Sequence, residues 1–323
     1  MKKQLLKTLI VAAFAAASVI VPSAPAFANS EKPAVWLQIS PVANRVTLNP
    51  NDNLTYKMEV NNIGSKKFKF RVYAAPYSIA NEAYEVSFSS ETKRTQVSRW
   101  VTFNQNKDAK NDAEKDWKNE AVFELDPDQR QEVEYKITVP SDIPAGGQYA
   151  TIFAESIPGD AATSTGVRTI SRVGLILYGR TNGETIEEST IENFKMKTFM
   201  THGKITAEAD IANKGNTDFT ANMTMEISKI IGGEVAKIDN PYPIIPDAPT
   251  RHATLEWKET PVFGIFRVKT IITALDKRVE ETKIVLILPV FIIIIMLVLL
   301  TIIIAWLIIL IRKRRAEKSR LIV

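Results

Sequence analysis

Residues 54–72, LTYKMEVNNIGSKKFKFRV, decide the fold. Leu54, Tyr56, Met58 and Val60 alternate with polar residues, Asn61 to Lys67 interrupt them, and Phe68, Phe70 and Val72 take up the alternation again. Period two with one apolar face is the pattern of half-buried antiparallel strands, and the interruption has turn composition. Val133, Tyr135, Ile137 and Val139 repeat the pattern. Further strand-like segments follow at Tyr149–Ala154, Thr169–Tyr178, Ile205–Ile211, Met223–Ile227, Ala253–Trp257 and Phe266–Ala274, separated by Gly, Pro, Asn and Asp. Many short strands at this spacing, with no long helical period between them, predict an all-β protein made of β-sandwiches.

A weak internal repeat sets their number at two. Val60-Asn61-Asn62-Ile63-Gly64-Ser65-Lys66-Lys67-Phe68 can be laid on Ile211-Ala212-Asn213-Lys214-Gly215-Asn216-Thr217-Asp218-Phe219 with Asn, Gly and Phe in register. The Asn-x-Gly step predicts a hairpin with positive φ, and the Phe re-enters the core on the returning strand. Leu125-Asp126-Pro127 leads to a strand and then Gly147-Gln148-Tyr149, as Ile245-Pro246 leads to Trp257 and then Gly264-Ile265-Phe266. The expected architecture is two tandem immunoglobulin-like sandwiches, residues 29–179 and 180–283, divided where Gly179 to Gly183 breaks the apolar pattern.

Both ends of the chain read differently. Residues 1–28 have a basic start (Lys2, Lys3, Lys7), an apolar run and a small-residue end, which is a signal-peptide layout with Ala26 and Ala28 marking the cleavage site. Residues 284–311 are uncharged and rich in Ile and Leu, long enough for a transmembrane helix. The tail, 312–323, opens with Arg312, Lys313, Arg314 and Arg315, so the positive-inside rule keeps it cytoplasmic and places the sandwiches outside. Trp306 falls near the cytoplasmic end of the span, an ordinary interfacial position.

Locating the charges removes a nucleic-acid partner. The chain has 41 Lys and Arg against 36 Asp and Glu. Setting aside the three N-terminal lysines and the tail's six basic and one acidic residues leaves 32 basic and 35 acidic residues in the ectodomain. A basic footprint for nucleic acid is therefore missing from the part that faces outward.

The same composition excludes several chemistries. With no cysteine, a thiol nucleophile, a thiolate metal site and a disulfide framework are impossible. The two histidines, His202 in a turn and His252 at a strand entry, lack a local Ser or acid pattern, so no catalytic, cofactor or metal residue is expected. Asn104 to Asp116 carries four acids but also three lysines and no calcium-loop spacing, and reads as a hydrated insertion loop. Gly146-Gly147 precedes a strand and reads as a turn. Trp36, Trp100 and Trp257 lie in strand patterns and are expected in the core. Trp117 sits among charges and is the candidate surface residue, able to stack on a sugar ring or a partner.

Trp100-Val101-Thr102-Phe103, Phe123-Glu124-Leu125-Asp126-Pro127 and the run Pro140 to Ile152 resemble the first domain of WxL-interacting surface proteins. The resemblance covers roughly Val35 to Tyr178, and the order of signal, two β-domains, membrane helix and basic tail is that family's. It implies an immunoglobulin-like domain that binds cell-wall peptidoglycan, in a single-pass cell-membrane protein whose partner is another surface protein. Ile186 to Lys283 is shorter and less helical than the family's membrane-proximal domain. The resulting expectation is a non-enzymatic surface protein of a walled bacterium that binds peptidoglycan or scaffolds surface proteins. The alternative is a membrane-tethered accessory or chaperone-like domain serving a partner enzyme or a secretion or pilus assembly, pairing strands with its client.

Overall fold

The computed structural model describes residues 32–158 and 170–320, with side chains up to residue 312. The chain is all-β, with two immunoglobulin-like sandwiches in tandem and one C-terminal helix. In the first sandwich, β1 (Leu37–Ser40), β3 (Asn53–Asn62), β10 (Arg130–Thr138), β7 (Val101–Asn104) and β8 (Trp117–Lys118) form one sheet in that order. β2 (Ala43–Leu48), β12 (Arg172–Thr181), β11 (Gly146–Ile157), β4 (Phe68–Pro76) and β9 (Glu120–Leu125) form the facing one. The alternation predicted from sequence is realised in β9, where Ala121, Phe123 and Leu125 point inward while Glu120, Val122 and Glu124 face out. Phe70, Phe103, Tyr135, Ile137 and Ile152 fill the centre without solvent exposure.

The second sandwich repeats this plan. β13 (Ser189–Met196), β15 (Ile205–Asn213) and β18 (Arg251–Trp257) stand where β1, β3 and β10 stand in the first. β14 (Phe199–Met200), β20 (Lys277–Ile287), β19 (Gly264–Ala274), β16 (Phe219–Lys229) and β17 (Glu234–Ile244) correspond to β2, β12, β11, β4 and β9. In each, the short second strand runs parallel to the last one and every other pairing is antiparallel. The first sandwich adds an insertion between β4 and β9, comprising β7, β8 and a small hairpin, β5 (Ser78–Ile79) and β6 (Val86–Ser87). Each sandwich has its own apolar core, Leu37 to Leu177 and Met196 to Ile287.

Four expectations from sequence are corrected. First, the Asn-x-Gly segment is an arch and not a hairpin, since β3 pairs with β1 and β10 whereas β4 pairs with β11 and β9. Its glycines are needed for closeness. Gly64 and Gly215 are not among the positive-φ glycines, but a Cβ on Gly64 would lie 2.8 Å from Ala34 O and one on Gly215 2.1 Å from Ile186 O. The positive φ falls instead on Asp128 and Asp247, each following a proline at the matching corner. Second, Gly179 lies within β12 under Leu48 and does not break the pattern, so the first sandwich extends to Thr181. Third, the uncharged run does not start a helix. Residues 284–287 end β20, with Val285 and Ile287 buried, and α1 (Val290–Arg320) begins after Pro289. Fourth, Trp36 is half exposed, whereas Trp257 is buried and Trp100 packs at the edge of the first core.

The sandwiches meet end to end through a polar joint. Gly147 N donates to Asn216 O at 2.7 Å, and Asp218 accepts from Arg45 at 2.7 Å and from the Tyr149 hydroxyl at 3.2 Å. Arg94 reaches from the insertion to Asp247 at 3.0 Å, and Ile245 N donates to the Tyr84 hydroxyl at 3.1 Å. The Arg251 guanidinium lies 4.4 Å from the Tyr84 ring centre. The β5–β6 hairpin, which carries Tyr84, thus clasps the second sandwich beside its β17–β18 turn.

Within α1, Val290–Arg312 is long and apolar enough to cross a membrane, with a mean hydropathy of 3.4 and none of it buried against the protein. At 1.5 Å per residue this stretch is about 35 Å long, matching a hydrocarbon core with modest tilt. Most of its apolar side chains, Trp306 included, are exposed.

Candidate functional site

The site is built on the outer edge of β9. As the last strand of its sheet, β9 has backbone groups on one side that no strand pairs. At Val122 those groups are held by a side chain. Gln105 Nε2 donates to Val122 O at 2.7 Å, and Val122 N donates to Gln105 Oε1 at 2.8 Å. A carboxamide has the donor and acceptor of a peptide unit, so Gln105 stands where the backbone of a neighbouring strand would stand. Because outward groups recur every second residue, those of Glu120 and Glu124 face the same side. Among the described residues no side chain bonds either of them.

A groove of about 430 Å³ runs along this edge, with Lys67, Lys107, Asp108, Glu124 and Asp126 on its walls and Phe123 at its floor. Lys67 is paired with Glu124 at 3.1 Å and with Asp126 at 3.6 Å, and these contacts raise its pKa. The groove is polar, shallow and of mixed charge.

The segment that delivers Gln105 is more ordered than the expected hydrated loop. Asn104 Oδ1 accepts from the amides of Asn106 and Asp116 at 3.1 Å each, closing the loop that follows β7. Lys115 bridges Asp112 at 2.8 Å and Glu134 at 2.9 Å, and Asp116 pairs with Lys118 at 3.0 Å. These acids are matched by lysines. Among the described residues no group of three His, Asp or Glu side chains is arranged to hold a metal ion.

Trp117 opens β8, next to this loop, and is half-buried outside the groove. Lys136 Nζ lies 4.4 Å and Lys115 Nζ 5.8 Å from its ring centre, so the indole packs against lysines of its own domain. His252 does have an acid partner, Asp210, which faces it across the β15–β18 register and also accepts from Asn193. Sequence spacing hid that pair because the two residues sit on different strands. The His252 side chain is exposed and that of Asp210 partly buried, and the contacts of Asp210 lower its carboxyl pKa, Asn193 contributing most. His202 bonds Thr201 at 3.0 Å in an exposed turn. Of the topology residues, Arg312 is exposed and Lys313, Arg314 and Arg315 continue the α1 backbone. Ala26 and Ala28 lie outside the described residues.

Gln105 carries no sequence signal of its role, since neither its type nor its spacing distinguishes it from any loop glutamine. The counterpart edge in the second sandwich is legible. There β17 carries Pro241 and Pro243, which remove two donors from the strand.

No protein-family model matches the chain, and no curated protein matches it. Among solved structures, a chain of the chaperone–tip adhesin complex of CFA/I fimbriae is 10% identical, with a TM-score of 0.35 over 76% of this chain and 98% of that one. The E. coli chaperone DraB is 13% identical, with a TM-score of 0.31 over 76% and 98%. A chain of the Salmonella enterica SafA pilin–SafB chaperone complex is 11% identical, with a TM-score of 0.33 over 78% and 97%.

Proposed function

We propose that the protein is a non-enzymatic, membrane-tethered binding module whose first sandwich accepts an extended segment of a partner surface protein along β9. The observation that carries this reading is the Gln105–Val122 pair. A free edge must be blunted to avoid indiscriminate pairing, and the two sandwiches do so in different ways. The second edge lacks two amide donors permanently because of its prolines, whereas the first is covered by a side chain that can swing away and leave Val122, with Glu120 and Glu124, ready for a ladder. Strand addition draws affinity from main-chain hydrogen bonds and specificity from alternate side chains, here over Phe123 and the mixed-charge groove walls. The same class of role, a tethered domain serving another surface protein, follows from the resemblance to WxL-interacting proteins. The signal peptide, outward-facing sandwiches and cytoplasmic tail belong to this reading.

The test is a photo-crosslinking residue at Glu124 in the full chain, in the intact envelope. A discrete protein adduct is expected, strengthened by Gln105→Ala and abolished by Val122→Pro, which removes the outward amide alone. Melting curves check that both variants remain folded. An adduct indifferent to both substitutions, or one made of wall glycan, overturns the strand-addition reading.

A further inference from the structure

We infer that the lower end of the second sandwich is seated in the outer leaflet of an anionic phospholipid membrane, with its loop tips among the headgroups and upper acyl chains. This rests on the reading of α1 as a membrane span. It goes beyond that reading, because a tethered domain can equally ride above the surface on a linker.

Here no linker exists. β20 ends at Ile287 and α1 begins at Val290, leaving Leu288 and Pro289 between them. Even these are tied down, since Leu288 N donates to Met200 O at 2.8 Å and Pro289 O accepts from Ile292 N at 3.0 Å. Two residues span at most about 7 Å, so whatever is level with Ile287 lies at the membrane boundary.

The register says what is level with it. Gly264 pairs with Ile287, Phe199 with Leu286, and Lys229 with Phe266, so the β14 strand, the β16–β17 turn and the β18–β19 turn share one plane. These elements carry large apolar side chains pointing into solvent. Ile231 is 93% exposed, Val262 69% and Phe263 67%, with Phe199 and Ile265 about half exposed. Tips of this kind are costly in water and favourable in the interface, where amphipathic segments bury their apolar faces.

Charge at this end fits the same occupant. Lys197, Lys229 and Lys258 stand at these turns with no carboxylate within ion-pair distance among the described residues, Lys204 and Lys283 are paired with Glu256 and Glu281, and Glu234 and Glu259 are exposed acids at the same turns, which leaves a small basic excess. A groove of about 840 Å³ opens beside β14, floored by Phe194, Met196 and Met200 and rimmed by Lys197 and Lys204. Lysines beside an apolar floor suit a lipid phosphate with its chains below.

The absence of cysteine makes the test direct. Single cysteines at Ile231, Phe263, Val42 and Met296, in the full chain reconstituted into vesicles of phosphatidylcholine with phosphatidylglycerol, are labelled with a polarity-sensitive fluorophore. Quenching by shallow and deep nitroxide lipids is then read. Positions 231 and 263 are expected to show blue-shifted emission quenched by the shallow label, position 42 on the first sandwich none, and position 296 quenching by the deep label. Unquenched 231 and 263 with a quenched 296 overturn the seat and leave the span standing. An unquenched 296 overturns the span and the seat together. Equal quenching at 231 and 263 without phosphatidylglycerol overturns the part assigned to the lysines.

Discussion

Asn62 and Asn213 occupy matching corners of the two sandwiches and make the same bonds. Each accepts from the glycine two residues on, at 3.0 and 2.9 Å, and donates across the arch to Lys66 O and Thr217 O at 2.9 and 2.7 Å. Each also reaches across to the end of the facing sheet's edge strand, at Leu125 O and Ile244 O.

Replacing either asparagine by alanine is expected to cost about 1–3 kcal/mol, because buried backbone groups lose their partner. Gly64→Ala and Gly215→Ala are expected to cost a comparable amount by forcing the preceding segment away. Urea unfolding of the ectodomain checks this, and each substitution should affect its own sandwich's transition first.

Tyr149 is fully buried at the joint, and its hydroxyl meets Asp218. Burial, reinforced by that carboxylate, pushes the phenol far above its ordinary range, so it is a permanent donor. Asp218→Ala is expected to destabilise the joint by about 1–3 kcal/mol through the orphaned hydroxyl, and Tyr149→Phe by less. A double-mutant cycle on the melting curves should show non-additivity.

Acid should loosen the same joint. Burial works to raise the carboxyl pKa of Asp247, but Arg94 and Lys93 overcome it and hold the group below the usual range. A carboxylate with a depressed folded-state pKa adds stability above its unfolded value, about 3.9, and that stability is lost as pH falls through the folded value. The wild-type protein is therefore expected to lose joint stability below about pH 4, and Asp247→Asn to flatten that slope. Melting temperatures between pH 6 and pH 2.5 measure it.

Trp117→Ala is expected to lower stability by about 0.5–1 kcal/mol, as Lys136 loses the ring it sits on. Sedimentation with purified peptidoglycan should be unchanged. A loss of sedimentation at constant melting temperature would restore the sugar-stacking role expected from the sequence.

The strands that sequence made legible are those with one wet and one dry face, such as β3, β4 and β10. β17 escaped because its exposed edge position leaves little alternation and its prolines argue against a strand. β20 escaped because its buried end, Val285 and Ile287, runs into the apolar span without a polar break. The repeat Asn-x-Gly located the right corners but suggested the wrong geometry, since a glycine's sequence does not say whether it turns the chain or admits a neighbour. The candidate edge was invisible for a related reason. It depends on Gln105 and Val122, which come together only when the two sheets close on each other.

The end-to-end joint fixes a standoff. β19 rises 11 residues from the end at which α1 begins, and β11 continues the climb from Gly146 to Glu155, the residue level with Arg71 and so with Val122. At roughly 3.3 Å per residue these two strands alone add up to about 70 Å, so under the proposed membrane seat Val122 would stand on the order of 70 Å above the leaflet. Under the proposed binding role and membrane seat, an edge held at that altitude would select its clients by where they reside as well as by what they are: a chain confined close to the bilayer would pass beneath it, and one threaded through an overlying envelope layer would meet it at a constant height.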